Sequence, residues 1–135
     1  MLLPDTMTIH PSDLEIRRIV TDSDLDGVVT AAILRRWWTD AEVVFGHPGE
    51  LRAGVYDELI DEWTAICDLP VHPNCGLSID HHQSNRSEKN EAGAIVVWED
   101  KPSAARIAFE LFHQIIDLSD LEGLLDWVDK IDSGS

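Results

Sequence analysis

The sequence predicts an α/β fold: a parallel, doubly wound sheet of about five strands flanked by helices. Two observations predict it. Short apolar runs of strand length alternate with longer helical stretches, and acidic or histidine clusters directly follow several of these runs. Strands that alternate with helices imply crossover connections and therefore parallel pairing. In such sheets ligands bind beyond the carboxyl ends of the strands, where the polar clusters fall.

The predicted elements alternate along the chain. Strands are predicted over residues 15–20, 41–45, 63–67, 76–79 and 94–98, each a short apolar run. Helices are predicted over residues 25–38, 51–62, 103–116 and 118–130. The polar stretch 83–92 is predicted to be a loop. Residues 1–14 are predicted to form an irregular arm, and residues 15–135 a single domain.

Length and composition exclude several classes of protein. A chain of 135 residues with a hydrophobic share of 44% can bury a normal core. No apolar run approaches the roughly 20 residues that a membrane helix needs, and the first 14 residues show no secretory signal. Cys67 and Cys75 lack CxxC spacing and are predicted to be reduced packing residues. We therefore expect a cytoplasmic protein.

Acidic residues dominate the charge. Twenty-six acidic and ten basic residues give a net charge of −16. Such a surface repels nucleic-acid backbones and offers no basic stripe for a long duplex. A short phosphorylated substrate held by bound metal remains compatible with this charge.

Three polar clusters each stand at the end of a predicted strand. In chain order they are Asp22-Ser23-Asp24-Leu25-Asp26-Gly27, the single Asp68, and Asp80-His81-His82. Carboxylates and imidazoles suit hard or borderline divalent ions such as Mn²⁺. Five carboxylates could not all stay ionised in one cleft without cations, namely those of Asp22, Asp24, Asp26, Asp68 and Asp132. Because two divalent ions would largely neutralise them, the sequence predicts a two-metal site.

The first cluster also fits two other structures. It matches the opening of an EF-hand calcium loop, but Ile33 stands at the twelfth position, where that loop needs a glutamate. It could also be an acidic turn that caps the following helix, a role for which one aspartate would suffice. Gly27 fits a tight strand-to-helix turn in which the backbone passes close to a ligand.

Four motifs together resemble the DHH phosphoesterase family. They are Asp22-Ser-Asp24-Leu-Asp26-Gly27, then Asp68, then Asp80-His81-His82, and finally Asp132-Ser133-Gly134. The first and third are specific in order and spacing, whereas the second and fourth are single aspartates placed by context. The family includes RecJ-type exonucleases, nanoRNases, cyclic-dinucleotide phosphodiesterases and manganese-type pyrophosphatases. The resemblance covers the chain from about residue 16 onward and implies a DHH-type catalytic domain.

The resemblance also implies a role for each matched residue. The implied metal ligands are Asp22 and Asp24 for the first Mn²⁺, Asp26, His81 and Asp132 for the second, and Asp68 as a bridge between them. Mg²⁺ or Co²⁺ are possible substitutes. His82 would face the substrate phosphate. Asp80 would not bind metal itself but would orient an imidazole by contacting it from outside the coordination shell. Asp129 is the alternative to Asp132, which is preferred because Asp-Ser-Gly is similar to the family's Asp-Thr-Gly.

The implied function is hydrolysis of phosphodiester bonds in short single-stranded oligonucleotides or dinucleotides by a two-metal mechanism. Two alternatives stay open: an inorganic pyrophosphatase-type phosphohydrolase, and a non-catalytic scaffold module with the same fold. Family members normally continue into a second, substrate-gripping domain. We expect that domain to be absent from this chain and supplied by a longer protein or a partner.

Three residues outside the motifs are weaker candidates. Ser103 and Arg106 begin a predicted helix near the same sheet edge and could contact phosphate, but helix capping and a solvated charge are favoured. His47 could border the cleft, but a loop histidine without a function is favoured.

Overall fold

The computed structural model describes residues 10–82 and 95–133. Its strands are β1 (Arg18–Asp22), β2 (Glu42–Gly46), β3 (Thr64–Cys67), β4 (Leu77–Asp80) and β5 (Ile95–Trp98). Its helices are α1 (Leu25–Trp37), α2 (Pro48–Arg52), α3 (Ala104–Phe112) and α4 (Glu122–Ser133). Short 3₁₀ turns occupy Pro11–Asp13, Asp57–Leu59 and Ser119–Leu121. No helix among the described residues is long and apolar enough to span a membrane.

The strands form one parallel sheet in the order β2-β1-β3-β4-β5. Strand β2 lies on one side of β1, whereas β3, β4 and β5 follow on the other side. The direction in which strands are added therefore reverses between β1 and β3. In open α/β sheets this reversal leaves a crevice at the carboxyl ends of the strands, where ligands bind. The register pairs Thr21 with Cys67 and Cys67 with Ile79, so Asp22, Asp68 and Asp80 follow at the same edge.

Both faces of the sheet are covered. On one face, helices α1, α3 and α4 bury the main core, which includes Ile19, Leu77, Ile33, Ile107, Phe112 and Leu125. On the other face, Val20 and Ile66 pack against Leu51 and Ile60, from α2 and the segment after it. The predicted fold class, a parallel and doubly wound sheet flanked by helices, is confirmed.

The predicted helix over residues 51–62 is wrong. Helix α2 begins earlier, at Pro48, whose fixed φ suits the first position of a helix. It ends at Arg52, and Gly54 then adopts a φ of +87°, which is left-handed and interrupts any longer helix. A separate 3₁₀ turn follows over Asp57–Leu59.

Other boundaries differ by a few residues. Strand β1 runs from Arg18 to Asp22 instead of over 15–20, so the first aspartate of the motif belongs to the strand. Helix α3 ends at Phe112, before the predicted end at residue 116. Helix α4 begins at Glu122 and continues to Ser133, three residues beyond the predicted end. The predicted loop at 83–92 and most of the predicted arm lie outside the described residues.

Candidate metal centre

The first motif turns the chain from β1 into α1 at the edge of the sheet. The Asp22 carboxylate accepts a hydrogen bond from the Ser23 amide (2.7 Å), and the Asp24 carboxylate caps α1 by accepting from the Gly27 amide (2.8 Å). A Cβ on Gly27 would lie 2.0 Å from the carbonyl oxygen of Asp22, so only glycine fits there. The contact that excludes a side chain at Gly27 is therefore with the backbone of β1.

Asp26 is buried against the amino end of α3. Its carboxylate accepts hydrogen bonds from the amides of Ala104 (3.0 Å) and Ala105 (2.8 Å). Amides in the first turn of a helix have no carbonyl partner within that helix, and the helix dipole favours an anion there. Burial acts to raise the pKa of Asp26, but the contact with His81 and the two amide bonds outweigh it, so this pKa lies below its ordinary value.

The Asp68 carboxylate is buried at the edge of the sheet. It follows β3 with a left-handed φ of 61°, and its amide donates to the carbonyl of Ile79 (2.8 Å) in the neighbouring strand. Neither of its carboxylate oxygens has a hydrogen-bond partner among residues 10–82 and 95–133. Burial raises the pKa of Asp68 to about 9; His81 acts against this, and the negative charges of Asp26 and Asp24 add to it. An unpaired carboxylate in this position is costly unless a cation binds it.

Asp80 fixes the orientation of His82. Its Oδ1 accepts hydrogen bonds from the amides of His81 (2.8 Å) and His82 (3.2 Å) and lies 2.6 Å from His82 Nδ1. We infer that Nδ1 carries the proton, which leaves Nε2 at the outward end of the ring. The side chain of His82 is 39% exposed, and the hydrogen bond to Asp80 raises its pKa.

His81 directs its Nε2 atom towards three carboxylates. Its Nδ1 lies 3.1 Å from the carbonyl oxygen of Lys101, which can only accept, so we infer that Nδ1–H donates there. Its Nε2 lies 2.8 Å from Asp132 Oδ2, 3.3 Å from Asp26 Oδ2 and 3.6 Å from Asp68 Oδ1. Burial lowers the pKa of His81, but Asp132, Asp26 and Asp68 together outweigh burial and raise it to about 12. This carbonyl-to-imidazole-to-carboxylate arrangement is typical of a metal-ligating histidine.

Asp129 and Asp132 occupy different environments on α4. Asp129 accepts hydrogen bonds from Ser103 Oγ (2.7 Å) and Arg106 Nε (2.9 Å), whereas Asp132 faces His81. The assignment of Asp132 as the fourth-motif residue stays a prediction, and Asp132 is the one of the two that lies beside His81. Ser103 caps α3, as favoured from the sequence. The expectation of a solvated charge at Arg106 is wrong, because its guanidinium pairs with Asp129.

The ligand-type side chains lie in three overlapping groups, in each of which the donor atoms lie within 4.8 Å of one another. The first ligand group is Asp22, Asp24 and Asp68. The second ligand group is Asp26, His81 and Asp132. A third combination, Asp68, His81 and His82, joins the two. Every metal ligand predicted from the sequence belongs to at least one group. Oxygen-rich donors with an imidazole fit Mn²⁺, and the unpaired oxygens of Asp68 fit a bound cation.

Comparison with known proteins gives a structural match. No family model and no curated protein matches the chain. A solved structure described as PggH, a pGpG-specific phosphodiesterase from Vibrio cholerae, superposes with a TM-score of 0.69 and is 30% identical in sequence. The alignment covers 88% of this chain and 37% of that one, so this chain spans little more than a third of that protein's length. The chain is therefore similar to part of a phosphodiesterase.

Proposed function

We propose that this chain is the catalytic domain of a DHH-type phosphoesterase that hydrolyses dinucleotides or short single-stranded oligonucleotides with two Mn²⁺ ions. The observation that carries the proposal is the convergence of seven ligand-type side chains at the reversal of strand order. They surround the buried carboxylate of Asp68, which has no hydrogen-bonding partner among the described residues. The likeness to a pGpG-specific phosphodiesterase supports a dinucleotide as the substrate class.

The two ligand groups would each hold one ion. Asp68 would contact both, because it belongs to the first group and its Oδ1 also lies 3.6 Å from His81 Nε2. Bound divalent ions would polarise the phosphoryl group, lower the pKa of the attacking water and stabilise the leaving oxygen. Mg²⁺ and Co²⁺ would be possible substitutes for Mn²⁺.

His82 would act on the substrate and not on the metal. Since its Nδ1 is held by Asp80, Nε2 is the ring nitrogen available to a phosphoryl oxygen. The raised pKa of His82 favours the protonated imidazole, in which Nε2–H is a charged donor. Such a donor stabilises negative charge that develops on the phosphoryl group during in-line attack.

The charge of the chain agrees with a small substrate. A net charge of −16 disfavours long polyanions, because few phosphates could be neutralised outside the metal centre. A dinucleotide places its single internal phosphodiester at the ions and leaves little other backbone charge to be repelled.

The test measures bound metal first and turnover second. Purified chain is titrated with Mn²⁺ and then assayed with pGpG, a five-nucleotide RNA, pyrophosphate and the activated diester bis(p-nitrophenyl) phosphate, with EDTA as the metal-free arm. We expect two bound ions and EDTA-sensitive cleavage of diesters. Asp68→Asn should abolish both, whereas the surface substitution Asp120→Asn should not.

Three outcomes would contradict the proposal. Absence of bound Mn²⁺ at micromolar concentration would favour the scaffold alternative. Fast hydrolysis of pyrophosphate with no cleavage of diesters would favour the pyrophosphatase alternative. Diester cleavage that persists in EDTA would exclude the two-metal mechanism.

A further inference from the structure

The second ligand group is built on the start of helix α3. The carbonyl of Lys101 accepts from His81 Nδ1 at 3.1 Å. The amides of Ala104 and Ala105 donate to the Asp26 carboxylate at 3.0 and 2.8 Å. Two of the three members of the group are thus held by the backbone of one short segment.

The third member, Asp132, lies on another helix and is linked to the same segment indirectly. Three residues before it on α4, Asp129 accepts from Ser103 Oγ (2.7 Å) and from Arg106 Nε (2.9 Å), and Arg106 Nη2 lies 2.8 Å from the same carboxylate. Residues three apart lie on the same side of a helix, so the position of Asp129 determines that of Asp132. The Arg106 and Asp129 side chains are only 21% and 19% exposed, which limits screening by solvent.

The first ligand group has different supports. The carboxylate of Asp22 accepts from the Ser23 amide, and that of Asp24 accepts from the Gly27 amide. Ser23 lies in the turn between β1 and α1, and Gly27 in the first turn of α1. A disturbance at the start of α3 should therefore reach the second group and leave these bonds unchanged.

We propose that Arg106, through its pair with Asp129, is a positioning residue that sets Asp132 against His81 for the second metal ion. The inference rests on the proposed two-metal function. Leu125 and Val128 bury the apolar side of α4, which fixes the helix against the core. Apolar packing tolerates small shifts along or around a helix, whereas metal ligands tolerate only about 0.2 Å. The directional bonds of Arg106 to Asp129 remove that freedom.

The experiment compares two arginine pairs. Arg106→Met removes the bonds to Asp129 and keeps most of the side-chain volume. Arg36→Met is the matched control, because Arg36 makes two bonds of 2.9 and 2.7 Å to Asp120 in the turn that precedes α4. Mn²⁺ binding is measured by calorimetry and by electron paramagnetic resonance, and folding by thermal unfolding in EDTA. Loss of a residue that supports a metal ligand typically weakens metal binding 10–100-fold.

We expect Arg106→Met to bind the first ion with wild-type affinity and the second about 10–100-fold more weakly, with Arg36→Met unchanged. Arg106→Lys should fall between them, because lysine retains the charge but not the guanidinium geometry. If Arg106→Met does not fold, Asp129→Asn provides the same test from the other partner.

Equal affinities for both ions in Arg106→Met and wild type, or equal weakening of both, would overturn the positioning role while leaving the proposed function intact. A raised KM with normal metal binding would instead make Arg106 a substrate contact and also overturn it. Failure of the wild-type chain to bind two ions would overturn the proposed function, and this inference with it.

Discussion

The two ligand groups differ in how the fold prepares them. In the second, buried Asp26 is held by amides 78 and 79 residues away in sequence, and His81 is held by a carbonyl 20 residues away. In the first, Asp22 and Asp24 are held by bonds from within three residues, and Asp24 is exposed. Contacts between distant parts of the chain therefore position Asp26 and His81, whereas local bonds position Asp22 and Asp24.

Asp68 belongs to the first group, and its Oδ1 also lies 3.6 Å from His81 Nε2 of the second. Its carboxylate oxygens have no hydrogen-bond partner in the described part of the chain, and its backbone is left-handed. Strained backbone and buried polar groups without hydrogen bonds persist where the surrounding structure imposes them, often at functional sites. The proposed ions would therefore relieve the largest of these costs at Asp68.

The largest effect is expected from Asp68→Asn. Both ions lose an anionic ligand, so we expect loss of two-metal binding and a fall in turnover by orders of magnitude. Without metal, the variant should be more stable than wild type, because an amide is cheaper to bury than an unpaired carboxylate. Thermal unfolding in EDTA and Mn²⁺ titration check the two parts. Near-normal turnover would show that Asp68 does not bridge the ions.

The stability gain of Asp68→Asn should depend on pH. Since the pKa of Asp68 is raised to about 9, the metal-free folded state holds one more proton at this residue than the unfolded state between about pH 4 and 9. Its contribution to the free energy of unfolding therefore falls as pH rises across that window. The difference between variant and wild type, measured in EDTA, should grow from pH 4 to 9. A constant difference would contradict the raised pKa.

Substituting one ligand of either group should weaken the binding of one ion more than that of the other. Asp24→Asn keeps a capping oxygen for α1 but removes the charge, so it should weaken mainly the first ion. His81→Ala should weaken mainly the second. Competition calorimetry with Mn²⁺ resolves the two steps. Equal loss of both ions in either variant would mean that the groups do not act as separate sites.

His82→Ala should reduce turnover without loss of metal. The imidazole is oriented by Asp80, and we expect it to contact substrate. Removing one donor of this kind commonly lowers kcat about 10²–10³-fold. The check is Mn²⁺ stoichiometry beside kcat for an activated diester. If His82→Ala lost metal as His81→Ala is expected to, the division of roles between the two histidines would be wrong.

The sequence predicted the features that depend on local pattern. Apolar runs and the polar residues that end them are local, so the parallel sheet and the gathering of Asp22, Asp68 and Asp80 at one edge could be anticipated. The helix over residues 51–62 could not be placed correctly, because the left-handed turn at Gly54 outweighs the helical pattern around it. Glycine in a helix-like stretch was the signal for that break.

Features that depend on distant residues were not predictable. Arg106 contacts Asp129 across 23 residues, and nothing in the local sequence distinguishes that contact from a solvated charge. The support of Asp26 by the start of α3 spans 78 residues and uses backbone amides, which every residue but proline carries. Such contacts become visible only once the helices are packed.

The smallest effect is expected from a substitution that tests whether backbone amides position Asp26 in the second group. Ala104→Pro removes one of the two amide donors to Asp26, at the first position of α3, where proline is well accommodated. The preceding residue, Ser103, is extended (φ −157°, ψ 157°), as proline requires of its neighbour. Because Ala105 still donates to Asp26, we expect only a few-fold loss of affinity for the second ion and none for the first. Ala104→Val, which adds comparable bulk but retains the amide, is the matched control for Mn²⁺ calorimetry. Identical losses in the proline and valine variants would assign the effect to packing. They would show that the Ala104 amide does not contribute to the affinity for the second ion.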